Sequence, residues 1–231
     1  MEVDLRSDSE AVAQRAVEIL IETSRTAIEE RGFFNWAVSG GSTPRRMLEL
    51  LSETDDLDWS KTHLFQVDER IAPEGSPQRN ATMLDEALLT ETFLSLNSPA
   101  GIHLMPVNAS PISQGVADYS DELSMQLGES TVFDLVQLGL GGDGHTASLI
   151  PGDPILDEMS LPVGVSQEYQ GTKRMSLTRP ILDCASVLLW VVAGESKQDA
   201  VRKLLERDQA IPGSLLNQEH AVLVLDQTAA G

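Results

Sequence analysis

The strongest constraint on the fold is the alternation of short apolar runs with amphipathic stretches along the whole chain. A long helix pattern over Asp8–Arg31, stopped by Gly32, comes first. The apolar runs predict strands at Phe34–Val38, His63–Val67, Ile102–Met105, Val132–Leu138, Val187–Ala193 and Ala221–Leu225. The stretches between most of them predict helices at Pro44–Leu51, Asn80–Leu89, Ile112–Leu127 and Ser196–Glu206. This order predicts an α/β fold, a mainly parallel, doubly wound sheet with helices on both faces.

Length and composition favour a single domain over residues 1–231. With 231 residues, 41% of them hydrophobic, the chain is long enough to bury one sizeable core. The chain has no apolar run of membrane-spanning length, and Met1–Glu10 carries four acidic groups where a secretory signal needs basic and apolar residues. Cys184 is the only cysteine, so no internal disulfide is possible. We therefore expect a cytoplasmic protein.

The net charge of −20, from 36 acidic and 16 basic residues, excludes two classes of partner. Nucleic-acid backbones and anionic membrane surfaces are bound by clustered Lys and Arg, so we expect neither. A chain of this charge also repels anionic substrates at long range. Any anion site must therefore be local, built from a few cations and backbone N–H groups.

The first motif, Ser39-Gly40-Gly41-Ser42-Thr43-Pro44, follows a predicted strand and precedes a predicted helix. Two glycines allow a sharp turn that exposes consecutive N–H groups, and the helix adds its positive N-terminal end. The motif thus predicts an anion cradle, and the alternative is a plain turn with a Ser or Thr cap. It lacks the Lys of a Walker loop and the spacing of the dinucleotide fingerprint, so nucleotide binding is not indicated.

The second motif, Val67-Asp68-Glu69-Arg70, places three charges directly after a predicted buried strand. Ligands of parallel sheets bind beyond the carboxyl ends of the strands, so Asp68 and Arg70 are candidates for substrate binding. Arg70 has the forked geometry that holds a phosphate or carboxylate. The alternative is that Asp68 and Arg70 only pair with each other or cap the loop.

The third motif runs from Leu138 to Gly152 and holds four glycines within six residues, followed by His145. Such a loop can bring backbone donors, among them those of Gly142 and Gly144, close to a substrate carbonyl. His145 at its edge can take a proton from an attacking water, and Asp143 can fix the imidazole tautomer. A lone histidine is more often structural, but the glycine-rich loop favours a catalytic role here.

The fourth and fifth motifs supply cations. Arg174 lies in Lys173–Thr178, and Lys197 follows the predicted strand Val187–Ala193. Because basic residues are scarce, either could complete a phosphate site; the alternative for Lys197 is a solvated residue in the first turn of a helix. His63, His103, His145 and His220 are far apart in sequence, so no metal is expected. No Gly-x-Ser-x-Gly elbow occurs, so water is the expected nucleophile.

These five segments, in this order, resemble the 6-phosphogluconolactonases, whose superfamily includes the glucosamine-6-phosphate deaminases. The resemblance covers essentially the whole chain, and Gly141–Leu149 is its most specific part. It implies a Rossmann-like fold of the glucosamine-6-phosphate isomerase type and hydrolysis of 6-phospho-D-glucono-1,5-lactone to 6-phosphogluconate in the oxidative pentose phosphate pathway. A sugar-phosphate lactone is then the expected partner of a monomer or weak homodimer, and no cofactor is required.

Two other functions are weighed against the lactonase. Deaminases carry Phe-Asn-Glu-Pro-Gly where this chain has Ser148–Gly152, so Ile150 replaces the acid that assists opening of the sugar ring. A sugar-phosphate sensor would have no need of a base such as His145. Arg79, in Gln78-Arg79-Asn80, departs from the Ser-Asn usual in lactonases and is either an additional substrate cation or a different local contact. Ala72–Arg79 and Gly152–Gln170 are predicted loops near the site.

Overall fold

The computed structural model describes residues 1–128 and 132–231. Its strands are β1 Glu2–Arg6, β2 Phe34–Val38, β3 Thr62–Gln66, β4 Asp68–Arg70, β5 Gly101–His103, β6 Leu135–Leu138, β7 Val163–Val165, β8 Arg174–Leu177, β9 Leu188–Val192 and β10 Ala221–Asp226. Its α-helices are α1 Ser9–Arg31, α2 Ser42–Ser52, α3 Asn80–Ala87, α4 Glu91–Leu96, α5 Ile112–Leu127, α6 Arg179–Asp183, α7 Gln198–Glu206 and α8 Gln227–Ala230. Short 3-10 turns lie at Trp59–Lys61, Pro154–Asp157, Glu195–Lys197 and Pro212–Leu215.

Seven strands form the central sheet, in the order β1-β10-β9-β6-β2-β3-β5. Every pairing within it is parallel. The predicted α/β class with a mainly parallel sheet is confirmed. All six predicted strands are present, with ends that differ from the prediction by no more than three residues.

Both faces of this sheet are buried, as expected when helices cover both sides. In β9, Trp190 packs into the apolar cluster on one face, whereas Leu189 and Val191 pack into the cluster on the other. Helices α1 and α2 contribute to the second cluster, and α5 and α7 to the first. Packing on both faces fixes the ends of the strands. The loops that follow these ends carry the candidate site.

The long first helix begins and ends where the sequence predicts. The Asp8 side chain accepts a hydrogen bond from the Ala11 N–H at 2.9 Å, so Asp8 is the N-cap and the helix starts one residue later. Gly32 ends it in the left-handed region, with φ of 85°. None of the helices in the described part of the chain has the length and apolar character needed to cross a bilayer.

A second sheet, β4-β8-β7, is antiparallel and was not predicted. The expectation of one loop over Gly152–Gln170 is wrong for Val163–Val165, which forms β7, and for the 3-10 turn Pro154–Asp157. These strands have only three or four residues each, too few to show a periodic pattern. Strand β1 was not predicted either. It lies at the edge of the central sheet, where its Val3 and Leu5 are exposed.

Candidate active site

A cavity of about 200 Å³ lies beyond the carboxyl ends of β2, β6 and β9 and beside the second sheet. It brings together most of the residues that the sequence singled out: Ser39, Gly40, Gly41, Ser42, Thr43, Asp68, Arg70, His145, Arg174 and Lys197. Pro44, Asn80, Gly139, Leu140, Gly141, Ala147, Val191, Val192 and Ala193 complete its wall. Residues from all five sequence motifs thus meet in one pocket.

The turn after β2 presents the start of α2 to the cavity. Ser39 is held by Gln137, whose side-chain oxygen accepts from the Ser39 N–H at 3.1 Å. Gly41, with φ of 130°, is the N-cap of α2 and makes no side-chain capping bond, so a capped turn is not what forms here. A Cβ at Gly40 would lie 2.0 Å from Oδ1 of Asn80, so a side chain there would force Asn80 away from its contacts with Asp68. The first-turn N–H groups of α2 therefore face the cavity without a capping side chain.

Arg70 and Arg174 supply two cations to the opposite wall. They are directly paired residues of the antiparallel strands β4 and β8. Arg70 donates to the Gln78 carbonyl oxygen at 2.6 Å, and Arg174 donates to Oε1 of Gln170 at 3.2 Å, so both are held by neutral acceptors. The Nε atoms of both are buried without a hydrogen-bond partner among the described residues. Burial, and then repulsion by Arg70, lower the pKa of Arg174.

Lys197 is the third cation of the cavity. It ends the 3-10 turn Glu195–Lys197, which leads from β9 into α7. Neither Lys197 nor the two arginines form a salt bridge with an acid in residues 1–128 or 132–231. In a chain with 36 acidic residues, three such cations make the wall of this cavity locally positive.

Asp68 is a buried acceptor in the wall of the cavity. Its Oδ2 accepts from the Ser148 hydroxyl at 2.6 Å and its Oδ1 from Nδ2 of Asn80 at 3.1 Å. The alternative of an Asp68–Arg70 ion pair is not observed within the described chain. Asn80 and Ser148 were not identified from the sequence as site residues. For Asn80 the one signal was the family resemblance around Gln78-Arg79-Asn80.

His145 lies on the rim of the cavity, with its side chain 23% exposed. Its Nδ1 lies 2.6 Å from Oδ1 of Asp143. Since an ionised carboxylate only accepts hydrogen bonds, Nδ1 carries a proton, and in the neutral form of the ring Nε2 is then the nitrogen with the free lone pair. Gly141 allows this arrangement, because a Cβ there would lie 2.1 Å from Nδ1 of the imidazole. The pair has the geometry of a general base with its orienting carboxylate.

Tyr169 is a further member of this group that the sequence did not reveal. Its hydroxyl donates to Oδ2 of Asp143 at 2.8 Å. Partial burial alone would raise the pKa of Asp143, but the hydrogen bonds from Tyr169 and His145 outweigh it and leave that pKa below its usual value. Burial, and then the hydrogen bond to Asp143, raise the pKa of Tyr169. Asp143 is thus the ionised acceptor between two donors.

The glycine-rich loop uses part of its own backbone. The Gly141 N–H donates to the His145 carbonyl at 2.8 Å, and the Gly144 N–H donates to the Gly141 carbonyl at 2.9 Å. Gly144 has φ of 83°, and a Cβ there would lie 2.4 Å from Ile211, so this glycine closes the loop. Neither Gly142 nor Gly144 is among the residues that line the cavity. Of these three glycines, Gly142 keeps an N–H without a partner in the described chain.

Arg79 does not reach the cavity. Its Nε lies 3.2 Å from Oε2 of Glu69, and both side chains are buried. The Glu69 carboxylate also accepts from the N–H groups of Asn80 and Ala81, both at 2.8 Å. The structure therefore supports a local contact for Arg79, its pair with Glu69, rather than a role as an additional substrate cation.

No group of three or more His, Cys, Asp or Glu side chains in the described residues is arranged to hold a metal. Two of the histidines that are distant in sequence are nevertheless neighbours. Nδ1 of His63 lies 3.0 Å from Nε2 of His103, because β3 pairs with β5, and Nδ1 of His103 lies 2.7 Å from Glu122. The two ring nitrogens face each other, so they bind one another rather than a shared ion.

Comparisons with known proteins show the family of this chain. The sequence profile of the family described as "Glucosamine-6-phosphate isomerases/6-phosphogluconolactonase" matches residues 7–225. A protein of Synechocystis named 6-phosphogluconolactonase is 34% identical, over 99% of this chain and 96% of its own. One from Nostoc with the same name is 30% identical over the same shares.

Solved structures share the fold. The 6-phosphogluconolactonase of Thermotoga maritima superimposes with a TM-score of 0.85 at 24% identity, over 98% of this chain and 99% of its own. A monomeric glucosamine-6-phosphate deaminase superimposes with a TM-score of 0.81 at 22% identity, over 100% of this chain and 99% of its own. By the profile match and the two cyanobacterial relatives, this chain belongs to the glucosamine-6-phosphate isomerase/6-phosphogluconolactonase family.

Proposed function

We propose that this chain hydrolyses 6-phospho-D-glucono-1,5-lactone to 6-phospho-D-gluconate, in the oxidative pentose phosphate pathway, with His145 as general base. Three cations that pair with no acid in the described part of the chain, on the same cavity as a histidine held by a carboxylate, support this most directly. The relatives named 6-phosphogluconolactonase at 30% identity and above add independent support.

The substrate phosphate binds where the positive charge is. The N–H groups at the start of α2, over Gly40–Thr43, and the side chains of Arg70, Arg174 and Lys197 surround it. Asp68, held by two donors, accepts a hydrogen bond from a sugar hydroxyl. Binding energy spent far from the reacting carbon then fixes the lactone for attack.

His145 performs the chemistry. Its unprotonated Nε2 takes a proton from water as the water oxygen bonds to C1 of the lactone, and Asp143 stabilises the imidazolium that forms. The C1 oxygen becomes an oxyanion in the tetrahedral intermediate that results. The C1–ring oxygen bond then breaks, and the imidazolium returns its proton to the leaving oxygen.

The deaminase activity of the same family is disfavoured by Ile150. This residue is buried and cannot titrate, and it stands where deaminases carry a glutamate. Hydrolysis of a lactone does not need that acid.

Product formation tests the proposal. Purified protein is added to lactone made in place by a glucose-6-phosphate dehydrogenase, and release of phosphogluconate is followed above spontaneous hydrolysis. We expect release at a rate proportional to protein, and no ammonia from glucosamine 6-phosphate in a parallel sample. A rate equal to the protein-free control would refute the lactonase, and ammonia release would favour the deaminase.

A further inference from the structure

The β7–β8 hairpin ends in a tight turn that fixes Tyr169. The Tyr169 N–H donates to the Thr172 carbonyl at 3.0 Å, and the Thr172 N–H donates back at 3.4 Å. Gln170 and Gly171 between them have φ of 52° and 82°. Positive φ at both central residues is typical of the two-residue turn that matches the twist of a hairpin. The backbone of Tyr169 is therefore held in place before any ligand binds.

From this position Tyr169 contacts both halves of the active site. Its hydroxyl binds Oδ2 of Asp143, and its ring meets the His145 ring edge-on, with centroids 5.4 Å apart. The guanidinium carbon of Arg174 lies 4.9 Å from the Tyr169 ring centroid, a cation–π contact. One side chain thus links the carboxylate behind the base to a cation of the anion site.

The Asp143 carboxylate needs such a second contact. Its side chain is 38% exposed, so with His145 as its only side-chain partner it would be free to rotate and to exchange that partner for water. With Oδ1 bonded to His145 and Oδ2 bonded to Tyr169, both oxygens have a fixed direction. We infer that Tyr169 is a positioning residue for His145: through Asp143 it keeps the proton on Nδ1 and Nε2 free for water. This inference rests on the proposed function.

A comparison of two substitutions separates the hydroxyl from the ring. Tyr169→Phe removes the bond to Asp143 but keeps the ring under Arg174, so we expect kcat to fall about tenfold with KM close to wild type. Tyr169→Leu also removes the cation–π contact, so KM should rise in addition. Glu168→Gln, a change at the exposed neighbouring residue, is the matched control and should keep wild-type kcat and KM.

A double-mutant cycle identifies the route of the effect. If Tyr169 acts through Asp143, the Tyr169→Phe change should cause no further loss of kcat in an Asp143→Asn background. An equal loss in both backgrounds, or wild-type kcat in the Tyr169→Phe variant, would overturn the inference. Neither result would contradict the lactonase proposal, which is tested by the rate of phosphogluconate release with the wild-type protein.

The imidazole tautomer gives a readout that does not depend on activity. In ¹⁵N NMR spectra of the whole protein at a pH where His145 is neutral, the wild type should show the Nδ1–H tautomer at His145. The Tyr169→Phe variant, with an unfolding midpoint near that of wild type, should show a mixture with Nε2–H. An unchanged single tautomer would contradict the positioning role, even if the wild type proved to have no lactonase activity.

Discussion

Arg70 and Arg174 lie opposite each other on β4 and β8, and both side chains line the same cavity. Like charges at directly paired positions of neighbouring strands repel each other. Neutral oxygens of Gln78 and Gln170 hold the two guanidinium groups in place without cancelling their charge. An anion bound between the two guanidinium groups would relieve this repulsion, so we expect the pair to connect stability with ligand binding.

Inorganic phosphate should stabilise the wild type more than a variant that lacks one of these charges. Binding at 100 times Kd adds about 2.7 kcal/mol to the free energy of unfolding. We expect Arg70→Gln to lose most of this gain, while without phosphate it is at least as stable as wild type. Thermal unfolding with and without phosphate measures both effects. Arg25→Gln, which removes an exposed pair with Asp56, is the control, and an equal phosphate gain in Arg70→Gln would contradict the anion site.

Arg79 should matter for stability rather than for substrate binding. Removing one partner of a buried ion pair leaves the other charge unpaired, so Arg79→Met should lower the free energy of unfolding by about 3 kcal/mol. KM should stay near the wild-type value, because Arg79 does not line the cavity. Urea unfolding and steady-state kinetics check the two halves. A large rise in KM with unchanged stability would mean that Arg79 is a substrate cation after all.

The paired histidines should make stability depend on pH. Burial, and then the neighbouring His103, lower the pKa of His63 below its ordinary 6.5. As pH falls, the unfolded chain therefore takes up this proton at a higher pH than the folded chain does. The free energy of unfolding keeps its full value above pH 6.5 and decreases as pH falls from there towards the folded-state pKa of His63. Between about pH 8 and about pH 5, the unfolding midpoint of wild type should fall more than that of His63→Asn. Parallel midpoints in the two proteins would rule this out.

The activity profile should have an acid limb that belongs to the imidazole. The pKa of Asp143 lies below its usual value, so this carboxylate stays ionised through the neutral range and remains a hydrogen-bond acceptor. Since only the neutral ring accepts a proton from water, kcat/KM should decline as pH is lowered from about 8 to about 5. A profile that is flat over this range would point to a base other than His145.

The central sheet could be predicted because its signals are local and repeated. A strand such as Phe34–Val38 is apolar throughout, and α1 carries both a capping Asp8 and a terminating Gly32. The position of the cavity could be predicted because ligands of parallel sheets bind beyond the carboxyl ends of the strands. The glycine-rich motifs come directly after β2 and β6, at the same edge of the sheet. The catalytic candidates were therefore visible before the structure.

The contacts made by short antiparallel strands could not be predicted in this way. Tyr169 reaches Asp143 because β7 and β8 form a hairpin, and strands of three or four residues leave no periodic pattern. The Glu69–Arg79 pair and the contact between His63 and His103 likewise depend on how distant segments pack. Sequence spacing carries no information about such pairs, so these contacts could not be predicted from the sequence.

The proposed mechanism depends most on a single imidazole that activates water, and the kcat of the His145→Gln variant tests this role directly. In the coupled assay, after subtraction of spontaneous lactone hydrolysis, we expect kcat to fall on the order of 10² to 10⁴ while KM stays near wild type. Lys197→Ala, measured beside it, should raise KM and largely keep kcat. A His145→Gln variant with a rate close to wild type would contradict the central claim.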